Sequence, residues 1–484
     1  MAEQKAHGTQ RDLAARSHDA LQDEFLRSAV RFTVDRLRDK KKASTEPLPN
    51  WEALREEGRA IRSHTIAHLD TYLSQFAKNV RRAGGHVHFA EDAHEAVAQV
   101  LEIVRQKQAR SVIKSKSMVS EEIEINHHLE AAGIDVVESD LGEYIIQLAK
   151  ETPSHIIIPS IHKNREQIRD LFTADGGVDL STDTKVLAGF ARRRMRERFL
   201  QADIGMTGCN FGIAESGTVV LFTNEGNADM VVNLPKTHIV LMGMERVLPS
   251  FADLEVIANL LPRSATGQKI TTYMSMVTGP RRNEEVDGAK EMHVIILDNG
   301  RSKQLGEENF QEILNCIRCG ACLNVCPVYR QVGGHAYGSV YPGPIGAVLT
   351  PLLEEDGAHD DLPYASSLCG ACYEACPVKI PLHEMLVKLR QRKVRAGKTT
   401  GQERSLMKGF AWIFSDHRRY RLSMKAGRVV QMAFFKNSQT EMTDGPLSAW
   451  TKSRAMPELA KTSFRERWKA IEPTLSSKPR GDNV

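Results

Sequence analysis

The chain has 484 residues, 41% of them hydrophobic and 6% aromatic, and a formal net charge of +4 from 65 Lys+Arg against 61 Asp+Glu. That length accommodates two or three domains, and the near-balanced charge argues against a nucleic-acid binder. There is no apolar run of 18 residues, and the first twenty residues mix Lys, Arg, Asp and Glu without an apolar core, so neither a transmembrane helix nor a secretory leader is expected.

Residues 1–84 read as an N-terminal helical region. Leu21, Phe25, Ala29 and Phe32 recur near helical spacing, and Lys40-Lys41-Lys42 with Pro47 and Pro49 ends the first arm. A second amphipathic helix is expected from about Trp51 to Arg82, stopped by Gly84-Gly85.

Residues 85–300 alternate strand and helix. Strands are expected at His86 to Phe89, Ser111 to Ile113, Ile134 to Val137 and His155 to Ile158, and then at Gly217 to Phe222, Met230 to Leu234, His238 to Met242 and His293 to Leu297. One helix follows from the apolar face Ala93, Val97, Val100, Leu101 and Val104, another from Glu122 to Ala132 before Gly133. Strands separated by helices of 10–15 residues predict an α/β domain with a largely parallel sheet; the later, closely spaced strands predict an antiparallel or mixed portion.

Nucleotide motifs are absent from this region: it holds neither G-x-x-x-x-G-K-[ST] nor a placed G-x-G-x-x-G. The segment Gly208 to Thr218 is small-residue-rich and reads first as a tight turn before a strand; Glu215 within it is a candidate base. Lys114 and Lys116 follow a predicted strand, where α/β sheets present ligand groups, which makes them weak ligand-site candidates. The 17 histidines show no metal-site spacing such as HExxH.

Residues 301–395 hold the chemistry. Cys316, Cys319, Cys322 and Cys326 before Pro327 read C-x2-C-x2-C-x3-C-P, and Cys369, Cys372 and Cys376 precede Pro377. The first run has the thiolate spacing of bacterial two-cluster ferredoxins. Zinc is the competing reading, but a zinc knuckle uses two C-x2-4-C pairs and has no need of a third cysteine in register followed by Cys-Pro. Because the fourth cysteine of such a run ligates the other cluster, cluster 1 takes Cys316, Cys319, Cys322 and Cys376, while cluster 2 takes Cys326, Cys369 and Cys372. A complete second run would carry a cysteine where Ser366 stands. Cluster 2 is therefore either a [3Fe-4S] cluster or a [4Fe-4S] cluster whose fourth iron meets Ser366, water or a partner's ligand. Cys209 is left over and reads as a small buried side chain. Thiols committed to clusters, with no disulfide framework, place the protein in the reducing cytoplasm.

The connector between the runs, Val332 to Gly346, is rich in Gly and Pro and reads as a loop packed close to its neighbours, the clusters among them. Pro381 is placed to open a helix bearing Leu382, Met385, Leu386 and Leu389 on one face. Residues 396–484 form a basic C-terminal helical region whose last forty residues are expected to be loosely ordered. Its charge reads first as a solvated face and second as a surface for an acidic partner or peripheral membrane contact, with nucleic acid last.

The block Ser115-Lys116-Ser117-Met118, the segment Gly208 to Phe222, the two cysteine runs and the connector Tyr341-Pro342-Gly343-Pro344-Ile345-Gly346-Ala347 together resemble the lactate utilization protein B family, over about residues 20–470. The resemblance implies a lactate-utilization-type α/β domain, distantly like the CoA-transferase and ribose-phosphate-isomerase folds, followed by an α-helical two-cluster ferredoxin-like domain. It implies two [4Fe-4S] clusters, the three-thiolate site included, and a non-catalytic electron-transfer role in oxidation of L-lactate to pyruvate. The partners implied are a Cys-Cys-Gly-rich iron–sulfur protein and a smaller α/β-domain protein. Three alternatives remain: the iron–sulfur subunit of another 2-hydroxy-acid or glycerol-phosphate dehydrogenase complex, an enzyme acting through the α/β domain, and an oxidation sensor built on cluster 2.

Overall fold

The computed structural model describes residues 12–354, 357–434, 460 and 462–476. The chain divides after Lys393 into two compact units.

The first unit opens with α1 (Leu13–Gln22) and α2 (Glu24–Thr45), started by Asp12 and Asp23, whose carboxylates accept from Ala15 N–H and Leu26 N–H. The buried stripe of α2 is Val30, Val34 and Leu37. The expected face is instead turned outward, with Phe32 69% exposed. The single helix expected over 51–82 is two, α3 (Trp51–Ala67) and α4 (Leu69–Arg82), parted at His68, whose φ of −121° is not helical. Gly84 at φ +93° closes α4.

A six-stranded sheet follows in the order β1-β10-β7-β4-β2-β3, every neighbouring pair parallel. Its members are β1 (His86–Ala90), β2 (Ser111–Lys114), β3 (Asp135–Glu138), β4 (Ile204–Thr207), β7 (Thr237–Gly243) and β10 (Glu291–Leu297). Helices α5 (Ala93–Gln106), α6 (Met118–Glu122), α7 (Ile125–Ala131), α8 (Leu141–Ala149), α9 (Arg165–Gly176) and α10 (Thr184–Gln201) join them. The helix expected over Glu122 to Ala132 is interrupted at Glu124, which sits at φ +50°. A second, mixed sheet in the order β8-β5-β6-β9 comprises β5 (Phe211–Ile213), β6 (Thr218–Thr223), β8 (Val247–Leu248) and β9 (Tyr273–Val277). It supplies the mixed portion expected of the later strands.

Two expected strands are absent. Met230 to Leu234 lies in α11 (Asn227–Asn233), whose Ala228, Val231 and Val232 pack inward at helical spacing. His155 to Ile158 is irregular because the buried His155 ring takes the role of a strand neighbour. Its Nδ1 accepts from Ile157 N–H at 3.0 Å and Ile158 N–H at 3.2 Å, and its Nε2 lies 3.1 Å from Asn324 Oδ1.

After α12 (Phe251–Ala265) and α13 (Arg301–Leu305) the chain enters the cysteine-rich region. There α14 (Ala321–Val325), α15 (Tyr329–Val332), α16 (Gly343–Leu353), α17 (Ala371–Ala375) and α18 (Leu382–Arg395) are joined by tight loops. Helix α14 packs on both α2 and α17. The Gly/Pro-rich connector is close-packed: a Cβ on Gly334 would stand 1.9 Å from the Ser154 carbonyl oxygen. Its second half begins helix α16 rather than continuing as loop. Leu382, Met385, Leu386 and Leu389 form the buried face of α18, as their spacing predicts.

The second unit contains α19 (Gly401–Phe414), α20 (His417–Phe434) and α21 (Phe464–Ser476). Phe410 and Phe414 stack at 4.2 Å, and Arg419 lies 4.7 Å over the Trp412 ring. Helix α21 is ordered where loose structure was expected; residues 445–459, 461 and 477–484 of that stretch lie outside the described residues. Among the described residues no helix is long and apolar enough to cross a membrane.

Candidate metal centre

The two cysteine runs take one backbone conformation twice. Arg318 and Leu368, at equivalent positions, sit at φ +58° and +55°, and Gly320 and Gly370 follow at +73° and +79°. These left-handed residues turn each loop about its cysteines before the five-residue helices α14 and α17. Each helix closes on the next cysteine: Cys326 N–H donates to Leu323 O at 3.2 Å, and Cys376 N–H to Tyr373 O at 3.1 Å. The repeat reaches Ser366. Arg318 N–H points at Cys316 Sγ at 3.4 Å, and Leu368 N–H points at Ser366 Oγ at 3.1 Å. The hydroxyl of Ser366 thus stands in its loop where the thiol of Cys316 stands in the other.

The thiols group across the runs. Cys316, Cys319, Cys322 and Cys376 line one enclosed cavity with Ile156, Ile345 and Leu382. Burial, then Cys376, pushes the Cys319 thiol up to about 12. Cys322 is raised by burial and by Cys316, Cys319, Cys372 and Cys376. In the second group, burial and then Cys326 raise Cys372 to about 11, with Cys369 adding to it. Cys369 alone is exposed, and its thiol is lowered by hydrogen bonds from Ser367 and the Ala371 backbone. Buried thiols that repel one another resist ionisation, and a soft multivalent cationic group relieves that repulsion. The hydroxyl of fully buried Tyr337 has no nitrogen or oxygen partner among the described residues and lies against the Cys326 thiol. Donor set, enclosure and this hydroxyl all fit a pair of iron–sulfur clusters.

Around the first group stand cations that the sequence does not reveal. Lys41 donates to Ala375 O. Arg55 reaches Cys376 O at 2.9 Å and Tyr373 O at 3.1 Å. Arg246 donates to Cys316 O at 2.7 Å, and fully buried Arg62 to Val247 O at 2.7 Å and Leu314 O at 3.0 Å. Burial lowers Arg62 to about 9, still charged at neutral pH. The guanidinium of Arg301 grips Glu122 through both nitrogens at 2.8 and 2.7 Å and Glu245 at 2.8 Å. Glu245 in turn holds Arg318 at 3.4 Å, and Arg318 stacks 4.6 Å over Tyr341, whose hydroxyl donates to Glu122 at 2.6 Å. An ion network thereby ties β7 and α6 to the first cysteine loop. No spacing rule marks these arginines, because in sequence a buried Arg reads like a surface one.

The remaining candidates separate. Lys114 is fully buried, with Glu121 and Glu138 each 2.7 Å from its Nζ. Their attraction outweighs burial and raises its pKa, so it is a structural cation. Lys116 instead lines a cleft in the α/β domain. Glu215 is exposed and accepts from Phe251 N–H at 2.8 Å, holding the start of α12; it faces neither the cleft nor the cysteines. Cys209 borders the cleft, its thiol pushed up to about 12 by burial.

Residues 73–297 match the family described as LUD domain, 312–380 the 4Fe-4S dicluster domain, and 388–472 Lactate utilisation protein B, C-terminal. The chain is 51% identical to lactate utilization protein B of Oceanobacillus iheyensis over 93% of this chain and 94% of that one. Against the same-named protein of Macrococcus caseolyticus it is 52% identical over 92% and 94%. A solved DUF162-family structure from Deinococcus radiodurans matches 47% of this chain and 98% of its own at 15% identity and TM-score 0.28, too weak a likeness to bear on the fold.

Proposed function

The chain belongs to the lactate utilization protein B family, and from that membership and the cysteine geometry we propose that it is a non-catalytic electron-transfer subunit in the oxidation of L-lactate to pyruvate. Cys316, Cys319, Cys322 and Cys376 hold one [4Fe-4S] cluster; Cys326, Cys369 and Cys372, with Ser366 at the fourth corner, hold a second. The observation that carries this reading is the exchange between runs, in which Cys376 lines the first run's cavity. Staggered ligands bring two one-electron carriers side by side, which suits conduction; an oxygen sensor needs one cluster.

This chain's residues set the conditions. Lys41, Arg55, Arg246 and Arg318 place positive charge against the first cysteine group, which favours the reduced, more negative state. The second group carries the exposed Cys369, next to Leu368 at 38% and Tyr364 at 41% exposure. That rim is the natural contact for a partner's redox centre. The partners are a Cys-Cys-Gly-rich iron–sulfur protein and a smaller α/β-domain protein, and the assembly works in the cytoplasm.

Anaerobically reconstituted protein is expected to bind about eight irons, or about seven with a [3Fe-4S] second site, and to show two interacting paramagnets on reduction. Tightly bound zinc without acid-labile sulfide refutes the reading. A deletion strain is expected to fail on L-lactate as sole carbon source and to grow on pyruvate; failure on both refutes the assigned place in metabolism.

A further inference from the structure

The cleft that Lys116 lines lies at the C-terminal ends of three adjacent parallel strands, where open α/β sheets bind ligands. Ser115, Lys116 and Ser117 follow β2, Cys209 and Asn210 follow β4, and Glu245 and Arg246 follow β7. Arg318 reaches in from the first cysteine loop. The cleft holds about 280 Å³, the small end of the range for small-molecule sites. That suits a short organic molecule.

Its charges are mixed. Lys116, Arg246 and Arg318 line it together with three carboxylates, of which Glu245 is already held by Arg301 and Arg318. Glu143 stands 3.6 Å from Lys116 Nζ, beyond hydrogen-bond distance, and burial pushes its carboxyl up. Lys116 Nζ and Arg318 Nη1 are buried atoms with no hydrogen-bond partner among the described residues. A buried donor left without an acceptor is costly, and the planar fork of an arginine matches a carboxylate in particular. Asp140 and Glu225 supply acceptors in the same cleft. A ligand with an anionic end and a hydroxyl fits both. The cleft also adjoins the first cysteine group: Ile156 and Arg318 border both spaces.

We propose that this cleft binds a short organic carboxylate bearing a hydroxyl or keto oxygen, held at its carboxylate by Lys116, Arg246 and Arg318. The binding gives the α/β domain a ligand that electron transfer alone does not require. A negative charge placed against Arg318 also lowers the potential of the neighbouring cluster, so occupancy is legible at the metal. The choice of L-lactate as first probe rests on the reading above; the site itself does not.

The test is calorimetric titration of the full, anaerobically reconstituted chain with L-lactate, pyruvate, inorganic phosphate and AMP, with an EPR-monitored redox titration at saturating ligand. Saturable binding of L-lactate or pyruvate is expected, with a fall in the first cluster's potential. Lys116→Gln is expected to weaken binding at least about tenfold, and Lys116→Arg to retain it, with iron content unchanged in both. Should Lys116→Gln lose iron, Cys209→Met, which fills the cleft without altering its charge, is measured in its place and is expected to weaken binding likewise. The proposal is overturned if neither carboxylate saturates, if the substitution leaves affinity unchanged, or if phosphate or AMP binds and the carboxylates do not. Ligand-free reduction of both clusters reports separately on electron transfer, so the two readings fail independently.

Discussion

Replacing Glu245 by Gln keeps the side chain's shape and removes its charge from between Arg301 and Arg318. Glu245 is 2% exposed. Burial drives its pKa up, but Arg301, then Arg318 and Arg246, outweigh burial and hold it at about 2 against an ordinary 4.5. That difference corresponds to roughly 3 kcal/mol, in line with the 3–5 kcal/mol typical of a broken buried pair. A carboxylate with a depressed native pKa contributes its stability in full above its unfolded value and loses it as pH falls towards the native one. The deficit of Glu245→Gln is therefore expected to be constant from pH 8 to about pH 5 and to shrink below about 4.5. With unfolding entropy of about 2.1 cal/mol/K per residue over a unit of some 390 residues, roughly 3 kcal/mol lowers the melting temperature by about 4 °C. Calorimetric scans of the reconstituted full chain at one scan rate, with cluster absorbance followed in parallel, measure it. A change below about 1 °C at pH 7, or a deficit that grows between pH 8 and 5, refutes the claim that this network braces the first cysteine loop.

Cys376→Ala is expected to damage the cluster held by Cys316, Cys319 and Cys322 and spare its sequence neighbours, and Cys326→Ala to do the reverse. EPR of each variant decides, and loss of each run's own cluster rules out the exchange. Ser366→Cys completes the second run and is expected to suppress conversion of the second cluster to [3Fe-4S] on exposure to air; an unchanged EPR time course shows that Ser366 does not face the open iron. Tyr337→Phe removes a hydroxyl from beside Cys326 and is expected to lower the second cluster's potential by roughly 20–60 mV, the equivalent of one neutral hydrogen bond. An unmoved midpoint in a redox titration contradicts that role.

The grouping of the cysteines was legible because thiolate spacing is local chemistry, as was the parallel sheet, because β-branched runs such as Val112-Ile113 and Val136-Val137 announce buried strands. Where a side chain displaces a backbone partner, periodicity misleads: His155 bonds its own neighbours, and Ile156 to Ile158 turn instead of extending. Met230 to Leu234 failed for another reason, since five apolar-rich residues do not distinguish the two periods. The Ser366 gap was readable, but its backbone equivalence to Cys316 needed the left-handed Leu368, an unfavourable conformation that composition does not flag. Least legible was the electrostatic setting. Lys114 and Lys116, two positions apart, looked alike; Lys114 ends β2 buried between two carboxylates, whereas Lys116 lies past the strand's end and borders a cleft.

The grip of Arg55 on the Cys376 carbonyl joins residues 321 positions apart, and that span dictates an order of assembly. At roughly 5–20 residues per second, a ribosome needs about 15–60 s to make the intervening chain. For that interval α2 and α3 are already synthesised, with the valines of α2 still without the helix they will pack on. A nascent chain halted before its final cysteine offers three of the first site's four sulfurs and no way to close around a metal group. Closure of the first cysteine group thus waits on Cys376, and a closed group requires that Arg55 and Cys376 have met.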